Sequence, residues 1–193
     1  MNQNRIQRIC VFCGSRLGKD AIYRQAAFEL GRALALRGYG LVYGGSHVGL
    51  MGVIADAVIN NGGEVDGVIP EPMVSRELAH LEITRRHVVG SMHERKARMA
   101  ELSDAFIAMP GGFGTFEELF EIITWAQLGI HHKPIGLLNI NGYFNPLQDL
   151  IEQSIKEDFV KPEHRHLTFL QDQPGAMLDA IERHRMPPTR PWL

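Results

Sequence analysis

A regular alternation of short β-branched runs with longer helical periodicities constrains this chain more than any other feature. Ile9–Phe12, Leu41–Tyr43, Val65–Ile69, His87–Val89, Ala105–Met109 and Ile135–Leu138 have the apolar composition of buried strands. Between and after them, Ala21–Arg37, Leu50–Asn60, Met92–Leu102, Thr115–Leu128, Pro146–Glu157 and Gly175–Arg183 repeat apolar residues at helical spacing. A βαβ series with right-handed crossovers predicts a mainly parallel sheet with helices on both faces, a Rossmann-like doubly wound α/β fold. A chain of 193 residues can bury roughly 70% of its unfolded surface in one core. One domain is therefore expected over 1–185, followed by a tail at 186–193 that carries three of the ten prolines.

Lys plus Arg number 20 against 22 for Asp plus Glu, so no global field favours a nucleic acid or a membrane surface, and any anion site must be local. No apolar run approaches the ~20 residues that span a bilayer. The N-terminal stretch lacks the pattern of a signal peptide, and a cytoplasmic location is expected. Cys10 and Cys13 have the C-x-x-C spacing of a redox pair. On a strand, however, positions i and i+3 project to opposite faces, whereas a redox pair sits at a helix start.

In open α/β sheets ligands bind beyond the carboxyl ends of the strands, and there this sequence concentrates glycine. Three strand-to-helix turns are rich in it: Gly14–Gly18, Gly44–Gly52, and Pro110-Gly111-Gly112-Phe113-Gly114-Thr115. Three such turns at one sheet edge suggest a backbone that closely approaches a phosphate. The first turn only superficially resembles a Walker A loop, because three residues separate Gly14 from Gly18 and Asp20 replaces the magnesium-holding hydroxyl residue. The second does not spell G-x-G-x-x-G, which weakens a dinucleotide reading. The third opens a helix, so free N–H groups and the Thr115 hydroxyl can surround a monophosphate at the positive end of the dipole.

Behind that cradle stand Glu117, Glu118 and Glu121. On a helical wheel Phe116, Leu119, Phe120 and Ile123 form one apolar stripe, while Glu118 shares a second face with Ile122 and Trp125. A carboxylate at the head of a buried face, beside a phosphate cradle, points to function. In the preceding helix Met92, Arg95, Lys96 and Met99 share one stripe, so two cations interrupt an inward face.

Ser91-Met92-His93-Glu94-Arg95-Lys96, together with the fully matched pattern P-G-G-x-G-T-x-x-E ending at Glu118, resembles the Lonely guy family of cytokinin-activating phosphoribohydrolases. Gly45–Gly52 and Trp125–Asn139 are also similar to that family, and the likeness runs from Ile9 to about Phe159. Its members often carry the label "lysine decarboxylase" and share a Rossmann-like fold with molybdenum-cofactor carriers. The resemblance implies a hydrolase, similar to an AMP nucleosidase. It would cleave the N-glycosidic bond of an N6-modified adenosine 5′-monophosphate, or of AMP itself, to free base and ribose 5-phosphate, with no cofactor and no metal. It implies Arg95 and Glu118 as the catalytic pair. Implied substrate contacts are Glu77, Lys96, Thr124 and Gly111, Gly112, Phe113, Gly114, Thr115, Phe116 and Glu117 of the cradle, with Gly14, Ser15 and Gly45 from the earlier turns. Arg16 stands where many relatives have a second serine, so the first turn is the least constrained part.

Two rivals remain. A pyridoxal-phosphate decarboxylase would need a Schiff-base lysine, and only Lys96 of five lysines lies near the site. A non-catalytic nucleotide or molybdenum-cofactor carrier needs the cradle alone, and the Arg95/Glu118 pair argues against it. Of nine histidines, His131-His132 and His164-x-His166 read as polar surface residues without a third metal ligand, and His93 as a helix-start hydrogen bonder. The two apolar faces of Thr115–Leu128 cannot both lie on one sheet, which predicts a homodimer covering Ile122 and Trp125 near the site.

Overall fold

The computed structural model describes residues 6–74 and 78–187. Seven strands form one sheet: β1 (Arg8–Phe12), β2 (Gly40–Tyr43), β3 (Val65–Pro70), β4 (Arg85–Val89), β5 (Ala105–Ala108), β6 (Ile135–Leu138) and β7 (Phe169–Gln171). Their order is β4-β3-β2-β1-β5-β6-β7 and every pairing is parallel. This is the doubly wound α/β architecture expected from the βαβ pattern. The order reverses between β1 and β5, where Phe12 pairs with Ala108, so the loops leaving these strands open side by side.

The helices are α1 (Ala21–Leu36), α2 (Gly49–Asn60), the one-turn α3 (Glu71–Val74), α4 (Met92–Glu101), α5 (Phe113–Gln127), α6 (Asn145–Lys156) and α7 (Pro174–Arg183). Strand residues alternate between two cores, as the period of two requires. Ile9, Val11 and Leu41 meet Leu30 and Leu34 of α1, Ile54 of α2 and Met177 of α7. Cys10, Phe12, Val42 and Phe106 meet Met99 of α4 and Leu119 and Ile122 of α5. The two cysteines thus fall in opposite cores, and burial raises both thiols well above their ordinary range, which removes the thiolate a redox pair needs.

Two expectations need correction. Strand β7 has three residues, too few for periodicity to reveal, and joins the sheet through Leu137 and its neighbours. In α5 the inward residues are Thr115, Glu118, Leu119, Ile122 and Ala126, one continuous face. Ile122 is therefore covered by its own chain, and Phe120, placed by the wheel on the core stripe, lies 42% exposed. Of the proposed tail, Met186 and Pro187 are described and 188–193 lie outside the described residues.

Candidate active site

Helix α4 starts from Ser91, whose hydroxyl accepts the Glu94 N–H, while the Glu94 carboxylate accepts from the Gly90 N–H. His93 has no part in this cap; the serine does the work expected of the histidine. The phase so fixed turns Arg95, Lys96 and Met99 inward. Arg95 is 8% exposed and Glu118 of α5 is 7% exposed. The guanidinium Nη1 donates to Glu118 Oε1 at 2.8 Å and Nε donates to the Val68 carbonyl of β3 at 3.1 Å. Burial raises the Glu118 pKa, with the Arg95 charge pulling against it. One buried oxygen is held by a cation, and among the described residues Oε2 makes no hydrogen bond.

The Lys96 ammonium donates to Glu117 and, at 3.1 Å, to Glu121. Burial works against its charge, but the two carboxylates outweigh that and raise its pKa. A lysine held protonated is a poor Schiff-base nucleophile, which counts against a pyridoxal-phosphate role. With two of its protons engaged, at most one is left for a substrate.

The three glycine-rich turns meet as the sequence suggests, but they divide the work. The Gly14 N–H donates to the Pro110 carbonyl at 3.1 Å and the Leu50 N–H donates to the Gly14 carbonyl at 3.0 Å, which locks the turns together. A Cβ on Gly44 would sit 2.1 Å from Arg95 Nη2, so that glycine is the seat of the guanidinium. Gly45 has φ +73° and packs on Ile69, while Gly49 has φ +62° and its Cβ would fall 2.3 Å from the Ser15 backbone. The glycines of the second turn are thus packed against Arg95, Ile69 and the first turn. Among the glycines of these three turns, only Gly112 and Gly114 have nothing within 4 Å of a built Cβ. They begin α5, where Gly112 is the N-cap and the first intrahelical bond is Phe116 N–H to Gly112 carbonyl at 3.1 Å, so earlier N–H groups are free of helical partners.

The remaining predicted contacts scatter. Thr115 is buried with its hydroxyl packed on Gly111, and Ser15 is exposed at the rim. Phe116 is half-buried against Tyr143, while the Phe113 ring stands 92% exposed. Thr124 is exposed, and its hydroxyl donates to Phe120 of its own helix, so it does not face the site of its own chain. Glu77 lies outside the described residues. The histidines also differ from expectation: His164 is buried, and His131 packs on Phe106 with burial pushing its pKa down to about 4. Sequence reading missed the Val68 carbonyl, and it missed Tyr143, whose hydroxyl donates to the Gly111 carbonyl. No motif signals the first. The second stands in the β6–α6 loop, within reach of any reading that follows the switch-point loops one strand further.

The family model described as "possible lysine decarboxylase" matches residues 51–181. A probable cytokinin riboside 5′-monophosphate phosphoribohydrolase of Oryza sativa subsp. japonica is 50% identical over 182 residues, 94% of this chain and 75% of the relative. A cytokinin riboside 5′-monophosphate phosphoribohydrolase of Arabidopsis thaliana is 52% identical over 165 residues, covering 86% and 78% respectively, and a second is 51% identical over 184 residues, covering 95% and 86%. Among solved structures, the molybdenum cofactor binding protein of Rippkaea orientalis superposes with TM-score 0.69 at 22% identity, covering 93% of this chain and 98% of its own. The molybdenum cofactor carrier protein of Chlamydomonas reinhardtii gives 0.70 at 20%, with 93% and 98% covered. At such identities these two share the fold.

Proposed function

This chain belongs to the possible lysine decarboxylase family, in its branch of cytokinin riboside 5′-monophosphate phosphoribohydrolases, and on that premise we propose that it hydrolyses the N-glycosidic bond of adenosine 5′-monophosphates, N6-modified ones included. The products are the free base and ribose 5-phosphate. The buried Arg95–Glu118 pair beside an open glycine cradle carries this reading.

The 5′-phosphate docks on the free N–H groups at the head of α5, where the helix dipole favours an anion. A helical side chain leans back over the preceding turn, so the Glu118 carboxylate reaches toward the ribose of a nucleotide held there. Departure of the base leaves an oxocarbenium-like sugar, which a carboxylate in a dry site stabilises strongly. Glu118 Oε2 takes the proton of the attacking water as its oxygen bonds to C1′, and the C1′–N9 electron pair leaves with the base, which takes a proton from solvent. Glu118 gives its own back to solvent, so that one water is consumed and the carboxylate is restored. Arg95 keeps Oε1 occupied and so aims Oε2. Because the cradle binds the phosphate equally before and during bond cleavage, it orients the ribose, while the carboxylate acts mainly in the transition state.

The same reading places a second copy of the chain on α5. Phe113, Phe120 and Leu128 of α5 are exposed, at spacings that put them on one side of the helix, an apolar surface of the kind that partners cover. Thr124 lies on that outward side and would meet substrate only across such an interface. Sedimentation at micromolar concentration should give a dimer, and a fully active monomer would overturn this part.

Incubation of the pure protein with AMP, isopentenyl-AMP and isopentenyladenosine, followed by measurement of free base, tests the main proposal. Base release from the monophosphates, with the nucleoside poor, is expected. Binding without release would make the protein a carrier.

A further inference from the structure

We propose that Tyr143 is a positioning residue that aims the phosphate cradle, and so sets how strongly the site prefers a 5′-phosphorylated nucleoside over the nucleoside itself. The inference rests on the reading of Gly112–Thr115 as the phosphate site. It adds a residue outside the glycine motif, delivered by a different strand.

Two successive carbonyls precede the open N–H groups, and both are captured. The Pro110 carbonyl accepts from the Gly14 N–H, a backbone contact at the β1–β5 switch point. The Gly111 carbonyl accepts from the Tyr143 hydroxyl, the only side-chain donor to this turn among the described residues. No described peptide bond is cis, so the Gly111 carbonyl and the Gly112 N–H belong to one trans plane and point in opposite directions. Capture of the carbonyl by Tyr143 therefore turns the Gly112 N–H away from Tyr143, at a residue whose built Cβ meets nothing within 4 Å. Accepting a hydrogen bond at its oxygen also polarises the peptide and makes that N–H a stronger donor to an anion.

The tyrosine is itself fixed from several sides. Its ring stacks on Phe116 with centroids 6.5 Å apart and meets the edges of Tyr23 and Phe144 at 6.1 and 5.2 Å. Phe144 is buried, and its N–H donates to Asn139 Oδ1 at 2.7 Å. Asn139 in turn donates from Nδ2 to Asn145 at 2.8 Å. The β6–α6 loop is thus braced at both ends of the aromatic pair. Without the hydroxyl, the flexible Gly111-Gly112 peptide can rotate, because glycine admits both orientations at little cost. Preorganised donors are effective because no rotation accompanies binding.

Tyr143→Phe keeps the ring and removes only the donor. In a Glu118→Gln background, which prevents turnover, calorimetry with AMP, ribose 5-phosphate and adenine separates the roles. The expected result is about tenfold weaker binding of AMP and ribose 5-phosphate, with adenine within twofold of the parent. In the otherwise wild-type enzyme the KM for AMP should rise by a similar factor, with kcat changed less than threefold. Equal weakening for adenine and AMP would mean a merely structural tyrosine, and unchanged AMP binding would mean that the cradle needs no aiming; either overturns the proposal. Partial unfolding lowers the binding stoichiometry rather than the ratio of affinities. If the wild-type enzyme binds AMP but releases no base, the hydrolase reading fails while the binding comparison in the Glu118→Gln background still tests the cradle.

Discussion

The turns Gly44–Gly52 and Pro110–Thr115 look alike in sequence and do opposite things. In the first, removal of side chains lets protein approach protein: Arg95 fills the space beside Gly44, and the Ser15 backbone fills that beside Gly49. In the second, Gly111 is crowded by Thr115 and Gly14, whereas Gly112 and Gly114 border emptiness. Glycine at a closed position reports packing, whereas the two open glycines at the head of α5 leave the backbone there uncovered.

The largest expected effect touches neither turn and isolates the chemistry they support. Glu118→Gln should lower base release about a thousandfold while AMP binding stays within about tenfold, the pattern of a group that acts in the transition state. Retained turnover would remove the carboxylate from the mechanism.

Gly44→Ala tests the closed turn next. Its methyl group displaces the Arg95 guanidinium, so turnover should fall about a hundredfold, as for Arg95→Ala, with the preference for a 5′-phosphate intact. A wild-type rate would mean that Arg95 needs no seat. Gly49→Ala puts a Cβ at positive φ against the Ser15 backbone and should cost about 2 kcal/mol of stability, read from denaturant midpoints.

Gly114→Ala probes the open turn and should separate stability from function. Alanine is a better helix former by about 0.5–1 kcal/mol, so the melting temperature should hold or rise. The KM for AMP should nevertheless increase about tenfold, because the methyl group enters the space kept for the phosphate. A lower melting temperature with unchanged KM would reverse the assignment of the two turns.

The smallest effect is a pH shift. Burial, opposed by Arg95, raises the pKa of Glu118, and the working form is the carboxylate. Activity should therefore fall as pH drops through a value above the ordinary glutamate range, and kcat/KM profiles should place the acid limb there. The raised pKa has a matching sign in stability. Its contribution is fully present below the unfolded-state value and is lost as pH rises through the folded value. A limb at the ordinary glutamate value would mean that the carboxylate is not desolvated.

Much of this was legible in the chain itself. Local periodicity marked six of the seven strands and the six long helices, because a period of two or 3.6 over several turns is a short-range property. The pair Arg95 and Glu118 stood out because charges interrupted otherwise apolar faces, and burial of both is what the structure shows. In α5 the wheel misplaced one residue. It treated Phe120 as core because phenylalanine is apolar, whereas the fully buried face runs through Thr115, Glu118, Leu119, Ile122 and Ala126.

The sequence by itself determined the α/β alternation, the glycines at the ends of β1, β2 and β5, and the residue types able to hold an anion and cleave a glycosidic bond. Only the tertiary structure decided which glycines stay open, that Lys96 is held by Glu117 and Glu121, and that Tyr143 reaches the Gly111 carbonyl across 32 residues of chain. The reason is physical. Periodicity and turn chemistry act between neighbours, whereas the space beside a backbone and the partner of a buried charge depend on what distant segments bring to the same point.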